Sequence, residues 1–204
     1  MDESYTLNRA GINSNLQKNL IVVDDFYENP DYVREFALSQ DLVAHPELHK
    51  GCRSEDRFFA PHMKEVFEGI VGFKIAEWHR VGGYCNGIFQ YCKRGDQLVY
   101  HCDQQDWAAA IYLTPNAPYD SGTSFFASKA NGQRDANDPT FNHQVVFNDN
   151  FLDINRFDKV DEVGNVYNRL VIWNARLIHA ASDYFGDSAE NGRLFHLFFF
   201  DMEK

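Results

Sequence analysis

A chain of 204 residues with 44% apolar composition can bury one sizeable core and hardly two, so a single domain spanning 1–204 is expected. Lys and Arg total 19 against 30 Asp and Glu, a formal net charge of −11, which repels a phosphate backbone where no basic patch offsets it; nucleic acid is therefore not expected as a partner. No apolar run approaches the roughly 20 residues that span a bilayer. Met1-Asp2-Glu3-Ser4 has neither the basic start nor the apolar stretch of a signal peptide, so the expected setting is cytoplasmic and away from membranes.

Leu20 to Asp24 forms a short apolar strand, and Asn29-Pro30-Asp31 then supplies a capping side chain, a proline for the first turn and an early acid. These predict a helix over about 30–40, with Tyr32, Val33, Phe36 and Ala37 on its apolar face. A second helix should begin near Pro61 and stop at Gly72, since Met63, Val66, Phe67, Ile70 and Val71 follow the spacing of one helical face. Residues 1–80 are thus an α/β support. After Gly72 the period falls to two. Phe73–Trp78, Gly87–Cys92, Leu98–His101, Ala108–Leu113 and Thr123–Phe126 alternate as short strands between Gly, Asn, Pro and Asp. Residues 127–168 turn to Asn, Asp, Gln and Lys and read as an insertion or lid. Strand texture returns at Leu170–Trp173, Leu177–His179 and Arg193–Phe200, so 81–126 and 169–200 are expected to make a barrel core. The high aromatic content, with 18 Phe, 10 Tyr and 3 Trp, suits such pleated surfaces. Cys52, Cys85, Cys92 and Cys102 show no Cys-x-x-Cys spacing and read as free thiols, although Cys85 and Cys92 could meet across a strand pair.

His101-Cys102-Asp103 puts an imidazole and a carboxylate two residues apart at a strand end, on one face and about 7 Å apart at the backbone. Such a pair can grip one cation. A second imidazole from a neighbouring strand completes the two-His-one-carboxylate set that leaves open positions on iron(II), and His179 is the candidate. A His-x-Asp motif alone carries little information.

Its context carries more. The strand pattern Phe89-Gln90-Tyr91-Cys92 leads through Arg94-Gly95-Asp96 into His101, and Trp107 to Pro115 follows; Ser121-Gly122-Thr123 turns into a strand, Arg169 to Trp173 precedes His179, and Arg193-Leu194-Phe195-His196 closes the series. With Val22-Val23-Asp24-Asp25-Phe26 near the start, this order resembles the prolyl-4-hydroxylase-like branch of the 2-oxoglutarate/Fe(II)-dependent oxygenases over residues 20–200. The resemblance implies a mainly β (α+β) fold, a double-stranded β-helix or jelly roll buttressed by N-terminal helices. It also implies a hydroxylase-type dioxygenase that uses Fe(II), 2-oxoglutarate and O2. Oxidation of an unidentified substrate C–H would be coupled to decarboxylation of 2-oxoglutarate to succinate and CO2, and the substrate would be a small molecule or a peptide. His101, Asp103 and His179 would be the catalytic metal ligands. Arg193, 14 residues after His179, would hold the distal carboxylate of the cosubstrate through its guanidinium fork. Tyr91, ten residues before His101, would donate to the same carboxylate. Trp173, Leu177 and Phe195 would form an apolar shell. The chain departs from the branch in having Arg where prolyl hydroxylases commonly have Lys, no Pro before His101 and a long 127–168 segment, so a prolyl substrate does not follow.

Plainer readings stand beside these. His101 and Asp103 can be a hydrogen-bonded pair at a strand end, His179 a core histidine, Arg193 an ion-pair partner and Tyr91 ordinary packing. Asn86, Gln90 and Asn174 either touch ligand or cap strand ends. His196 falls on the face opposite Arg193, and His45, His49, His62, His79 and His143 have no partner spacing. Asp135, Asp138, Asp149 and Asp153 lack the alternation and central Gly of a calcium loop. The functional alternative is a catalytically silent metal-binding or sensory module; a cupin-like isomerase would need a His-x-His pair that the chain lacks.

Overall fold

The computed structural model describes residues 18–44, 50–79 and 86–204. His45, His49 and Cys85 lie outside these residues.

Alternation along the strands decides which side chains meet. In β6 (Trp107–Tyr112), Trp107, Ala109 and Ile111 face one way and Ala108, Ala110 and Tyr112 the other. The same split divides β9 (Leu170–Asn174), where Leu170 and Ile172 oppose Val171 and Trp173. It also divides β11 (Arg193–Met202), where Leu194, Phe198 and Phe200 oppose Phe195 and Leu197. With β1 (Leu20–Val23), β2 (Leu42–Ala44), β3 (Cys52–Ser54) and β5 (Ile88–Cys92) they make an antiparallel sheet in the order β1-β9-β6-β11-β5-β3-β2. The short β4 (Ile75–Ala76) adds to the far end of β11. Both faces of this sheet are buried, which is why its central strands read as nearly continuous apolar runs.

One face carries the helices. In α2 (Met63–Val71), Met63, Phe67 and Val71 repeat every four residues and are buried against Trp78, Phe198 and Phe200 of the sheet side. Gly72 ends the helix in the left-handed region at φ 84°, its N–H donating to Glu68 O at 2.9 Å. In α1 (Pro30–Leu38), the Asn29 side chain accepts from Tyr32 N as expected, but the helix stops two residues short of 40. Phe36 meets Phe58 and Phe89, whereas Tyr32 is 64% exposed and is not on the packed face. Val66, likewise, is 46% exposed.

The other face meets a three-stranded sheet of β10 (His179–Ala181), β7 (Thr123–Ser128) and β8 (Phe157–Val163), in that order. Phe125, Val163 and Leu177 from this side interleave with Ala108, Ala110, Tyr112, Val171, Trp173, Phe195 and Leu197. The segment 127–168 is therefore only in part an insertion. Its last third supplies β8, an edge strand whose five central residues are exposed, and charge on an edge blunts pairing with other chains. Residues 129–156, including the short helix α3 (His143–Phe147), lie behind the small sheet and cover Tyr100, Phe126, Phe157, Ile178 and Ala180 with Val146 and Phe147. The expected strand at 98–101 reduces to one bridge, His101 with His179.

His196 lies on the helix side, as its parity requires. It is 2% exposed, with Nδ1 2.7 Å from the Tyr27 hydroxyl and Nε2 3.1 Å from Phe58 O, so Tyr27 donates to Nδ1 and the ring donates to the carbonyl. Burial lowers its pKa to about 3. The unfolded chain then binds a proton that the fold excludes, so stability is fully present above the ordinary histidine value of 6.5 and is lost as pH falls from there towards about 3. His196→Gln should flatten that acid limb in urea-midpoint measurements across pH 7.5 to 4; an unchanged limb would remove His196 as its cause.

Candidate metal centre

The site is assembled where the two sheets meet. His101 and His179 are paired residues of neighbouring antiparallel segments, joined by His101 N to His179 O at 3.1 Å and His179 N to His101 O at 2.9 Å. Their rings are 4.5 Å apart between centroids. Asp103 is fixed by its backbone: its N–H donates to Ala175 O at 2.8 Å, and its carbonyl accepts from Arg176 Nη1 at 2.7 Å. The turn from β9 to β10 therefore sets the third side chain against the two imidazoles. One ligand atom from each of the three residues lies within 4.8 Å of the others.

The orientation of the rings gives the site its chemistry. His101 Nδ1 lies 2.9 Å from Val99 O and His179 Nδ1 lies 2.8 Å from Leu177 O; a carbonyl only accepts, so each Nδ1 carries the proton. A ring protonated only there turns its Nε2 lone pair toward the carboxylate, at 3.4 Å from Oδ1 for His101 and 3.2 Å from Oδ2 for His179. Lone pairs facing a carboxylate repel unless a cation lies between them. The buried Asp103 Oδ2 has no hydrogen-bond partner, an unmade interaction that a metal ion would satisfy. Tying the remote ring nitrogen to a carbonyl is also how proteins orient metal-binding imidazoles. The donor set thus fits a divalent transition metal, with two nitrogens and a carboxylate.

With no metal between them, the carboxylate and the imidazoles favour one another's charged forms. Burial acts to raise the Asp103 pKa, but His179 and His101 outweigh it and hold the carboxyl well below the usual range. Burial acts to lower His101, and Asp103 more than offsets it, so His101 is raised. The His101 side chain is 39% accessible against 5% for His179, so His101 is the imidazole that solvent reaches.

Arg193 projects into the same space between the sheets. It is 4% exposed, its Nε donates to Ser121 O at 2.9 Å and its Nη2 to Gly122 O at 3.0 Å, and it lies over the rings of Phe195 and Tyr112 at 4.5 and 5.2 Å. Gly122 is required there because a β-carbon would collide with the Val163 carbonyl oxygen. Among the described residues no carboxylate pairs with Arg193, so the ion-pair reading of this arginine does not hold, and the cation is kept inside the protein by two carbonyls, the Thr123 hydroxyl and aromatic faces.

Tyr91 is not beside it. In the pairing of β5 with β11, Cys92 is opposite Arg193 while Tyr91 is opposite Leu194, and Tyr91 packs on the helix side. A one-residue difference in a strand reverses the face. The inner-facing residues of β5 are Ile88, Gln90 and Cys92. Gln90 accepts from Arg53 Nε at 2.8 Å and donates to Lys50 O at 2.8 Å, and Arg53 acts electrostatically on His101. Tyr184, which the sequence did not single out, packs into the inner cluster next to Cys92 and Arg193, and burial there, followed by the nearby Cys92, raises its pKa. It lies in the connection between β10 and β11, where no periodicity marks it. Of the expected apolar shell, Trp173 stacks edge-on against His179 at 5.3 Å, Phe195 lies over Arg193, and Leu177 shares their cluster. Asn86 and Asn174 cap strand ends: Asn86 bonds Trp78 O and Phe199 N, and Asn174 accepts from Arg176 N. Asp135 and Asp138 close local turns. Cys52, Cys92 and Cys102 are free thiols.

No protein-family model matches the sequence, and no curated protein sequence is similar to it. Solved structures are similar in shape. HygX from Streptomyces hygroscopicus, determined with nickel, 2-oxoglutarate and hygromycin B, superposes with a TM-score of 0.56 at 13% identity, over 96% of this chain and 88% of its own. The chain has that protein's fold. A prolyl-4-hydroxylase from Pseudomonas putida gives 0.51 at 13% identity over 96% of this chain and 99% of its own. The non-heme α-ketoglutarate-dependent carbocyclase SnoK of nogalamycin biosynthesis gives 0.52 at 14% over 92% and 85%. The structural neighbours are thus 2-oxoglutarate-dependent oxygenases and the architecture is of their jelly-roll type. Among the described residues no helix is long and apolar enough to cross a membrane.

Proposed function

We propose that this chain is an Fe(II)- and 2-oxoglutarate-dependent dioxygenase of the hydroxylase type, acting on a C–H bond of a small molecule or peptide. The observation that carries this reading is the presence in one interior of a clustered His101-Asp103-His179 donor set and of a buried Arg193 that has no carboxylate partner among the described residues. A metal-only module has no use for the second. We read the two facing sheets as a double-stranded β-helix, with His101 and β10 at the edge of the small sheet. When bound, iron and the 2-oxo acid supply the oxidising chemistry; the protein's part is to bind, orient and shield them. His101, Asp103 and His179 would hold the metal. Arg193 meets the distal carboxylate of the cosubstrate, its fork already oriented by Ser121 O and Gly122 O. Phe125, Trp173 and Phe195 keep water from the space between.

The test is consumption of 2-oxoglutarate and formation of succinate by the iron-loaded protein, with and without candidate substrates. Binding of 2-oxoglutarate to the metal-loaded protein, read by calorimetry, should be tight even before a substrate is known. Metal binding without any 2-oxoglutarate binding would replace this reading with that of a silent metal module.

A further inference from the structure

Four buried side-chain atoms among the described residues have no hydrogen-bond partner, and two of them belong to side chains against His179: the acceptor Asp103 Oδ2, and the donor Trp173 Nε1. A metal ion satisfies the first. The second points to something else. Trp173 is 4% exposed and lies on the inner face of β9, opposite Leu20 on one side and Ala108 on the other, neither with a polar side chain. Its ring neighbours are Phe125 at 6.3 Å and His179 at 5.3 Å, and His179 has committed Nδ1 to Leu177 O and turned Nε2 to Asp103. No acceptor is offered to the indole. A buried tryptophan N–H normally finds one, and a residue needed only for packing escapes the cost by being Phe or Leu. The adjoining strand places the small side chains of Ala108 and Ala110 next to Trp173 and its neighbour Val171.

We propose that the Trp173 indole N–H is a hydrogen-bond donor to the metal-chelating carboxylate of the bound 2-oxo acid, which makes Trp173 a ligand-binding residue. This rests on the function proposed above. A carboxylate oxygen is the acceptor because a 2-oxo acid chelating a metal held by His179 would bring its near carboxylate beside that ring, which Trp173 flanks, while its distal carboxylate goes to Arg193. The arrangement leaves Trp173 unsatisfied without ligand and satisfied with it, so its N–H acts in opposite directions on the two states.

The experiment uses the full chain loaded with cobalt(II) in place of iron, titrated calorimetrically with 2-oxoglutarate. Two variants are compared: Trp173→Phe, and replacement of Trp173 by 3-benzothienylalanine, in which sulfur stands for the N–H and the ring outline is kept. Cobalt affinity should stay within about twofold of the parent while the Kd for 2-oxoglutarate rises about 10- to 100-fold in the sulfur analogue, the range for a hydrogen bond to a charged group. The metal-free sulfur analogue should melt at or above the parent. A sulfur analogue that binds 2-oxoglutarate as the parent does overturns the proposal, even if Trp173→Phe is impaired by its smaller ring. If the parent itself binds cobalt and not 2-oxoglutarate, the proposed function fails first and this inference falls with it.

Discussion

Asp103→Ala is expected to abolish metal-dependent turnover of 2-oxoglutarate and to leave a folded protein. Removing only an outer partner of a metal ligand typically costs 10–100-fold in affinity or activity, so loss of a ligand should exceed about 10³-fold. The carboxylate supplies the only anionic donor of the three, and without it His101 and His179 offer two neutral nitrogens to a dication. His101→Ala should have the same effect, because each ring nitrogen is fixed by a backbone carbonyl and no further imidazole belongs to the described cluster. Folding should survive because Asp103 is held in place by its main chain, through Ala175 O and Arg176, and not by its side chain. Circular dichroism of the metal-free variants checks the fold, and cobalt absorption checks the site. A variant that still binds cobalt at parental affinity would mean that these residues are a structural pair.

The same Asp103 shows why part of the site was legible before any coordinates. A pair able to ligate a metal needs suitable residue types at a strand's two-residue spacing, and that pattern is visible in the chain as His101-Cys102-Asp103. His179 could be placed only by the order of strands around it, and the bridge to His101 is what unites them. Helices were legible through caps and four-residue repeats, as with Asn29 and the Met63, Phe67, Val71 face. Edge strands were not. β8 reads Phe-Asp-Lys-Val-Asp-Glu-Val and buries only its two end residues, so its solvent face hid the pairing with β7 behind the composition of a loop.

Tyr91 marks the sharper limit. The resemblance implies a cosubstrate tyrosine ten residues before His101, but a strand assigns faces by single steps, and the register with β11 turns Cys92 inward and Tyr91 toward the helices. The phenol that does reach Arg193's surroundings comes from Tyr184, in a connection with no period to read. Arg193 was expected because the resemblance implies a basic residue at that spacing, whereas its burial without an anionic partner among the described residues belongs to the folded state alone.

That property makes Arg193→Ala the most discriminating substitution for the cosubstrate. Truncating one member of a buried, hydrogen-bonded charge pair costs about 2–5 kcal/mol, so 2-oxoglutarate affinity should fall by roughly 30- to 1000-fold or more. Loss of the guanidinium also leaves Ser121 O and Gly122 O without their donor, so some stability is lost and binding must be measured well below the melting point. Arg193→Lys, which keeps the charge and gives up the planar fork, should fall between the two. The cleaner readout is a comparison of acids. The parent should bind 2-oxoglutarate far better than 2-oxovalerate, which lacks the distal carboxylate, whereas Arg193→Ala should bind the two alike. Such a collapse of discrimination assigns the energy to the arginine–carboxylate pair, because a general loosening of the interior would weaken both acids and preserve their ratio. Discrimination retained in Arg193→Ala would place the anchor elsewhere and leave the buried guanidinium as a brace between β11 and the Ser121–Gly122 turn.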